Sequence, residues 1–184
     1  MKRSILVLGI ERTGTRIVTK MIIDGGVWGD SNHEQRVNMA LIGKYLIPDE
    51  IETVVIRRSY PHNGLYPSIN RLIYSMNTIG YPISDIVLTI RDTNFVIISQ
   101  HKSDKILPFP AEIKDRDREK LFQKSLKIIF EQLSKIKIPV TVISYEALVN
   151  YPQFIFNHIK DRLNLPKLPN TEIFDGNKKY TKKR

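Results

Sequence analysis

Cysteine is absent from this 184-residue chain. That excludes a disulfide framework, a thiolate metal site and a thiol nucleophile, and it fits a reducing compartment, so the expected location is cytoplasmic. No apolar run is long enough to span a membrane. The apolar start, Ile5 to Leu8 behind Lys2 and Arg3, imitates a signal peptide but is too short, and Glu11, Arg12 and Arg16 cut it off. No spacing of His, Asp and Glu resembles a metal site, so no metal is expected. Internal repeats, low-complexity tracts and a second-domain boundary are also missing. Acidic residues are few, 19 against 29 Lys and Arg, for a formal charge of +10. Five of those charges are Lys178, Lys179, Lys182, Lys183 and Arg184, which leaves about +5 on the rest. A basic surface attracts polyanions, so nucleic acid and a nucleotide carrying several phosphates are both candidate partners. The length suits one domain with a full core, over residues 1–170, followed by a basic tail, 171–184.

The apolar residues come in short β-branched runs separated by amphipathic stretches. Strands are expected at Ile5–Leu8, Thr53–Ile56, Asp85–Ile90 and Pro139–Ser144. Helices are expected over 14–24, 37–46, 67–79, 94–102 and 115–136, with further helical segments from Glu146 to Leu163. Residues 57–64 read as a loop. Strands alternating with helices predict an α/β three-layer sandwich, a central parallel sheet of about four to five strands covered on both faces. Ligands of such sheets bind at the carboxyl ends of the strands, so the loops 9–16, 57–64 and 91–99 should converge on one edge.

The richest stretch is Gly9-Ile10-Glu11-Arg12-Thr13-Gly14-Thr15-Arg16. A buried strand breaks at Gly9 and a helix opens at Thr15. Backbone N–H groups and the positive end of a helix dipole then face one point, which suits phosphate or sulfate. The loop resembles a nucleotide-binding P-loop, but it lacks the Gly-Lys-Ser/Thr ending of NTPases and carries Arg12 instead. Further on, Arg91 leaves the third strand and Ser99 follows eight residues later, on the next helix. A guanidinium and a hydroxyl make a phosphate clamp. A third segment runs Ser144-Tyr145-Glu146-Ala147-Leu148, then Tyr151-Pro152, then Leu163-Asn164-Leu165.

In that order, the three pieces resemble the sulfotransferases that use 3′-phosphoadenosine 5′-phosphosulfate (PAPS), over residues 4 to 166. The loop is similar to their 5′-phosphosulfate loop, and Arg-x7-Ser to their 3′-phosphate site, with Thr93 where Arg-Asp-Pro is frequent. The family's late Arg-Lys-Gly element is not present, and Gly176-Asn177-Lys178-Lys179 is a candidate stand-in. The resemblance implies that Glu11, Arg12, Thr13, Gly14, Thr15 and Arg16 surround the phosphosulfate and that Arg91 and Ser99 bind the 3′-phosphate. It implies a P-loop fold, PAPS as donor, 3′,5′-adenosine bisphosphate as product, and a small-molecule acceptor with a hydroxyl or amine. Tyr145 and Glu146 are expected to pack or cap.

Arg12 is the expected electrostatic catalyst, with Arg16 as the second candidate, because an arginine keeps its proton at neutral pH. His62 is the expected base, since histidine titrates near neutrality and follows the second strand. Glu11 and His33 with Glu34 are rival bases; His101 is expected to face solvent or adenosine, and His158 to be structural. Arg57 and Arg58 suit an acidic acceptor or a solvated strand end, and Trp28, Tyr60, Tyr66 and Tyr81 could line an acceptor pocket, although aromatics at these spacings more often belong to the core or its rim. Three other readings compete. One is a P-loop small-molecule kinase using ATP with Mg²⁺, for which Asp92 is the only acidic candidate. Another is a nucleic-acid-binding module, with its steep salt dependence. The last is a degenerate relative that binds nucleotide without turnover.

Overall fold

The structure, a computed structural model, describes residues 1–29, 47–61, 66–101 and 115–181. The helix expected over 37–46 lies outside these residues. Four strands form one all-parallel sheet: β1 (Arg3–Ile10), β2 (Thr53–Tyr60), β3 (Ile83–Ile90) and β4 (Val140–Ser144), in the order β2-β1-β3-β4. The helices are α1 (Thr15–Asp24), α2 (Ile69–Thr78), α3 (Thr93–His101), α4 (Asp115–Leu133), α5 (Tyr145–Asn150), α6 (Pro152–Leu163) and the short α7 (Lys178–Thr181). Among the described residues no helix is long and apolar enough to cross a membrane.

The sheet forms because β1 is apolar on both faces, as a central parallel strand must be. Leu6, Leu8 and Ile10 point into one core with Ile56, Tyr60 and Leu88, under Leu72 and Met76 of α2 and Phe122 and Ile129 of α4. Ile5 and Val7 point into the other, against Val18, Met21 and Ile22 of α1 and Ile155, Ile159 and Leu163 of α6. Two cores on opposite faces of one sheet make the three-layer α/β sandwich that the strand–helix alternation predicts.

β2 is longer than its β-branched run. Arg57 to Tyr60, expected to be loop, is strand, because β1 runs on beside it and pairs Val7 with Arg57 through to Ile10 with Tyr60. Backbone pairing outweighs the two charges. The cost falls on Arg58, which is 9 % exposed and turned to the same side as Tyr60. Burial lowers its pKa, against a smaller raising effect from Tyr60.

After α6 the chain turns at Asn164, in a left-handed conformation, and runs back along α1. Lys167 N donates to the Gly25 carbonyl at 3.1 Å, and the Thr171 hydroxyl donates to the Asp24 carboxylate. Ile173 packs against the α1-side core. This strap carries residues 174–177 from the far end of α1 to the carboxyl edge of the sheet.

Candidate functional site

The junction of β1 and α1 is built by two left-handed residues. Arg12 has φ 76° and Gly14 has φ 99°. Glycine takes that conformation without strain, whereas an L-residue such as Arg12 pays about 1–2 kcal/mol. Between them Thr13 is 1 % exposed and faces inward. Its N–H and its hydroxyl both donate to the Ile10 carbonyl, at 3.1 and 2.7 Å, and the hydroxyl also pairs with Thr89 Oγ1 at 2.8 Å. Both Thr13 donors therefore close the loop rather than line it. The approach of Thr89 to Thr13 needs Gly9, where a Cβ would fall 2.1 Å from Thr89 Oγ1 and 2.5 Å from Thr13 Oγ1.

The end of α1 is open. Gly14 is its N-cap, with no side-chain cap, and the first turn holds no acidic residue. The first internal bond is Val18 N to the Gly14 carbonyl at 3.1 Å, so the N–H groups of the preceding turn point out of the helix. Thr15 is buried, Arg16 is exposed, and among the described residues the Arg12 side chain makes no hydrogen bond or ion pair.

Two neighbours fix the loop from outside. Glu11 N donates to the Tyr60 carbonyl at 3.2 Å, and the Glu11 carbonyl accepts from Nε2 of Gln100, a buried α3 residue, at 3.3 Å. Arg91 supplies the second brace. Its Nη1 donates to the Arg12 carbonyl at 2.9 Å, and its guanidinium carbon sits 4.4 Å from the centre of the Tyr145 ring. Nε and Nη2 both donate to Asn177 Oδ1, the former at 3.1 Å. Tyr145 also packs on the loop, since a Cβ on Gly14 would lie 2.8 Å from its Cδ2. Its hydroxyl accepts from Gly176 N at 2.9 Å and donates to the Phe174 carbonyl at 3.1 Å. Glu146 accepts from Asp92 N at 3.2 Å and from the Ser144 hydroxyl at 3.1 Å.

The structure thus gathers Glu11–Arg16, Arg91, Tyr145 and Gly176–Asn177 at one edge. Ser99 is buried on α3, one residue before Gln100. His62, His33 and Glu34 lie outside the described residues. His101 is exposed at the end of α3, and His158, expected to be structural, is on the exposed face of α6. Of the two readings of the aromatics, core or rim is the one the packing supports. Tyr60 and Tyr81 are core residues at 0 % and 3 % exposure, and the Tyr60 hydroxyl donates to the Pro67 carbonyl. Trp28 bridges to Val54, and the Tyr81 carbonyl accepts from Ser4, so both lie near the amino ends of the strands, away from the loop. Tyr66 packs against the same core. Arg58 does not solvate a strand end, being buried. Sequence reasoning missed Gln100, because an amide in a helix carries no mark of the carbonyl it holds.

Known structures share this architecture. The sulfotransferase domain from the curacin biosynthetic pathway is similar over 92 % of this chain and 76 % of its own, at 16 % identity and a TM-score of 0.59. Retinol dehydratase bound to androsterone and the inactive cofactor PAP is similar over 90 % of this chain and 60 % of its own, at 13 % identity and a TM-score of 0.50. Retinol dehydratase with retinol and PAP is similar over 95 % of this chain and 62 % of its own, at 10 % identity and a TM-score of 0.50. The chain therefore spans about three-fifths of the retinol dehydratase length. At these identities the likeness defines the fold, which is sulfotransferase-like α/β. No protein-family model matches the chain, and no curated protein matches its sequence.

Proposed function

We propose that the protein is a sulfotransferase that moves a sulfuryl group from PAPS to a hydroxyl or amine of a small acceptor. The observation that carries this reading is the uncapped end of α1 beside Arg12, whose guanidinium has no hydrogen bond or ion pair among the described residues. A helix end with no cap side chain, no acid and a cation at hand fits a phosphosulfate. PAPS, when bound, would supply an activated sulfuryl group, and no metal is assigned to its transfer.

The chain's own residues divide the work. The N–H groups of the first turn and Arg12 hold the phosphosulfate end. Arg12 stabilises the negative charge that the departing bridging oxygen gains, with Arg16 as a second cation nearby. Gly14 lets the backbone come close. Thr13 acts indirectly, by closing the loop, and Glu11 and Gln100 set its position. Arg91 and Ser99 are assigned to the 3′-phosphate. Of the five N–H donors of Arg91, one goes to Arg12 and two go to Asn177, so two remain. His62 is assigned as the base that takes the acceptor proton, and Glu11 is its rival.

Calorimetric titration with 3′,5′-adenosine bisphosphate in EDTA, beside ATP with Mg²⁺, tests this reading. Binding of the bisphosphate alone is expected. Binding of ATP–Mg²⁺ alone would replace the sulfotransferase by a kinase. Silence from both would remove the nucleotide site.

A further inference from the structure

Arg91 is where the cofactor reading meets an obstacle. Its Nε and Nη2 form the side-on fork that grips a phosphate or carboxylate in two parallel bonds. Both are given to one atom, Asn177 Oδ1. The amide is aimed there by its surroundings: Asn177 Nδ2 points to Glu146 Oε1 at 3.5 Å, and Asn177 N donates to Asp175 Oδ1 at 2.8 Å. Tyr145 closes one side of the guanidinium by stacking, and the Arg12 carbonyl holds Nη1. The carboxylates of Glu146, on α5, and Asp175, on the strap, thus stand behind the amide.

The strap divides into a part fixed in the core and a part held at the sheet edge through Tyr145, Arg91 and Glu146. Up to Ile173 it is anchored by Lys167 to Gly25, by Thr171 to Asp24 and by the core. Beyond Ile173, Phe174 is 71 % exposed, and one hydroxyl, that of Tyr145, takes both the Phe174 carbonyl and the Gly176 N–H. Tyr180 adds a tilted ring contact with Phe95 at 6.4 Å.

We propose that Asn177 is an internal stand-in for a phosphate oxygen on Arg91, and that an entering 3′-phosphate displaces it and releases residues 174–181. A phosphate outcompetes a neutral amide for the same fork, because it brings an opposite charge to the guanidinium where the amide brings only a dipole. A nucleotide without a 3′-phosphate leaves the strap in place. The proposal rests on the reading of Arg91 as a 3′-phosphate ligand.

The test uses the intact protein with 3′,5′-adenosine bisphosphate and with 5′-AMP. Hydrogen exchange of the wild type is followed over peptides covering 174–181, and affinity is measured for Asn177→Ala and Asn177→Asp. The expected result is faster exchange of 174–181 with the bisphosphate and not with 5′-AMP. Asn177→Ala should bind the bisphosphate about 5–10-fold more tightly, because the entering phosphate no longer has to displace the amide from the guanidinium. Asn177→Asp, which pairs its charge with Arg91, should bind about tenfold more weakly. If the bisphosphate binds but exchange slows or stays unchanged, or Asn177→Ala binds no better, the strap is part of the phosphate site and the displacement idea fails alone. If the bisphosphate binds neither wild type nor Asn177→Ala, the cofactor reading fails and the displacement falls with it.

Discussion

Arg91 Nη1 donates to the carbonyl oxygen of Arg12 at 2.9 Å, so the residue that leaves β3 holds the strained residue that follows β1. One arginine fixes the backbone from which the other projects. Arg91→Lys keeps the charge but cannot bond the Arg12 carbonyl and Asn177 together while stacking on the Tyr145 ring. Arg91→Ala removes all three. We expect Arg91→Ala to weaken binding of 3′,5′-adenosine bisphosphate by about 1.5–3 kcal/mol, the worth of a charged hydrogen bond. Arg91→Lys should recover only part of it. Titration calorimetry reads both, and an alanine variant with wild-type affinity would take Arg91 out of the site.

Arg12→Ala and Arg12→Gly separate charge from conformation. Both lose the guanidinium and should lose transfer by about 10²-fold or more. Only glycine relieves the φ of 76° at this position. Arg12→Gly should therefore be more stable than Arg12→Ala by about 1 kcal/mol. Urea unfolding of the pair measures the difference. Equal stabilities would contradict the left-handed backbone, and retained turnover would end the catalytic assignment.

Gly14→Ala meets two penalties. The φ of 99° disfavours any Cβ, and that Cβ would lie 2.8 Å from Tyr145 Cδ2. A loss of about 2–4 kcal/mol is expected, combining backbone strain with overpacking. Adding Tyr145→Ala removes the clash but not the strain, so the double variant should not return to the stability of Tyr145→Ala alone. If Gly14→Ala costs nothing in the Tyr145→Ala background, the ring is the only obstacle and the strain argument fails.

The Tyr60 hydroxyl titrates late. Burial pushes its pKa up to about 12, against smaller lowering effects from Gln132 and Arg58. The unfolded chain releases this proton near pH 10 and the folded chain near 12, so the folded state binds it more tightly. The resulting stability, of order 2–3 kcal/mol, is fully present below about pH 10 and is lost as pH rises towards 12. Unfolding free energies between pH 8 and 11.5 should fall in the wild type and stay flatter in Tyr60→Phe. The same slope in both would place the titration elsewhere.

Much of this fold was written in local patterns. The apolar runs at Ile5–Leu8 and Ile86–Leu88 announce buried parallel strands, and Gly9 with Gly14 announces a tight strand–helix junction. Arg57 and Arg58 misled, because charge marks a loop when β1 cannot be seen beside them. The aromatics fell where such residues are most often found, in the core or at its rim, although periodicity did not tell that Tyr81 and Trp28 sit at the amino ends of the strands. Gly176-Asn177-Lys178-Lys179 was legible only as a candidate stand-in. Its partner, Arg91, is 86 residues away, and no local pattern fixes a contact at that separation. Thr13 carried the opposite error. A threonine in a phosphate loop suggests a ligand, whereas Gly9 opens a space in which its hydroxyl turns inward to Thr89.

The order β2-β1-β3-β4 also governs how the chain reaches this state. Arg3 pairs with Thr53, and Ile5 with Asp85, so no neighbouring strands in the sheet can meet through a hairpin. Loop closure must be met before any sheet contact offsets it, which makes assembly slow for a chain of this size. During synthesis the most apolar strand emerges first, and although β2 can cover one of its edges, the other stays open until β3 follows, on the order of 5–15 s at ordinary elongation rates. The segment that carries the Arg12 loop is therefore also the one most exposed to wrong partners on a ribosome, and chaperone demand should track β1 more than any other element.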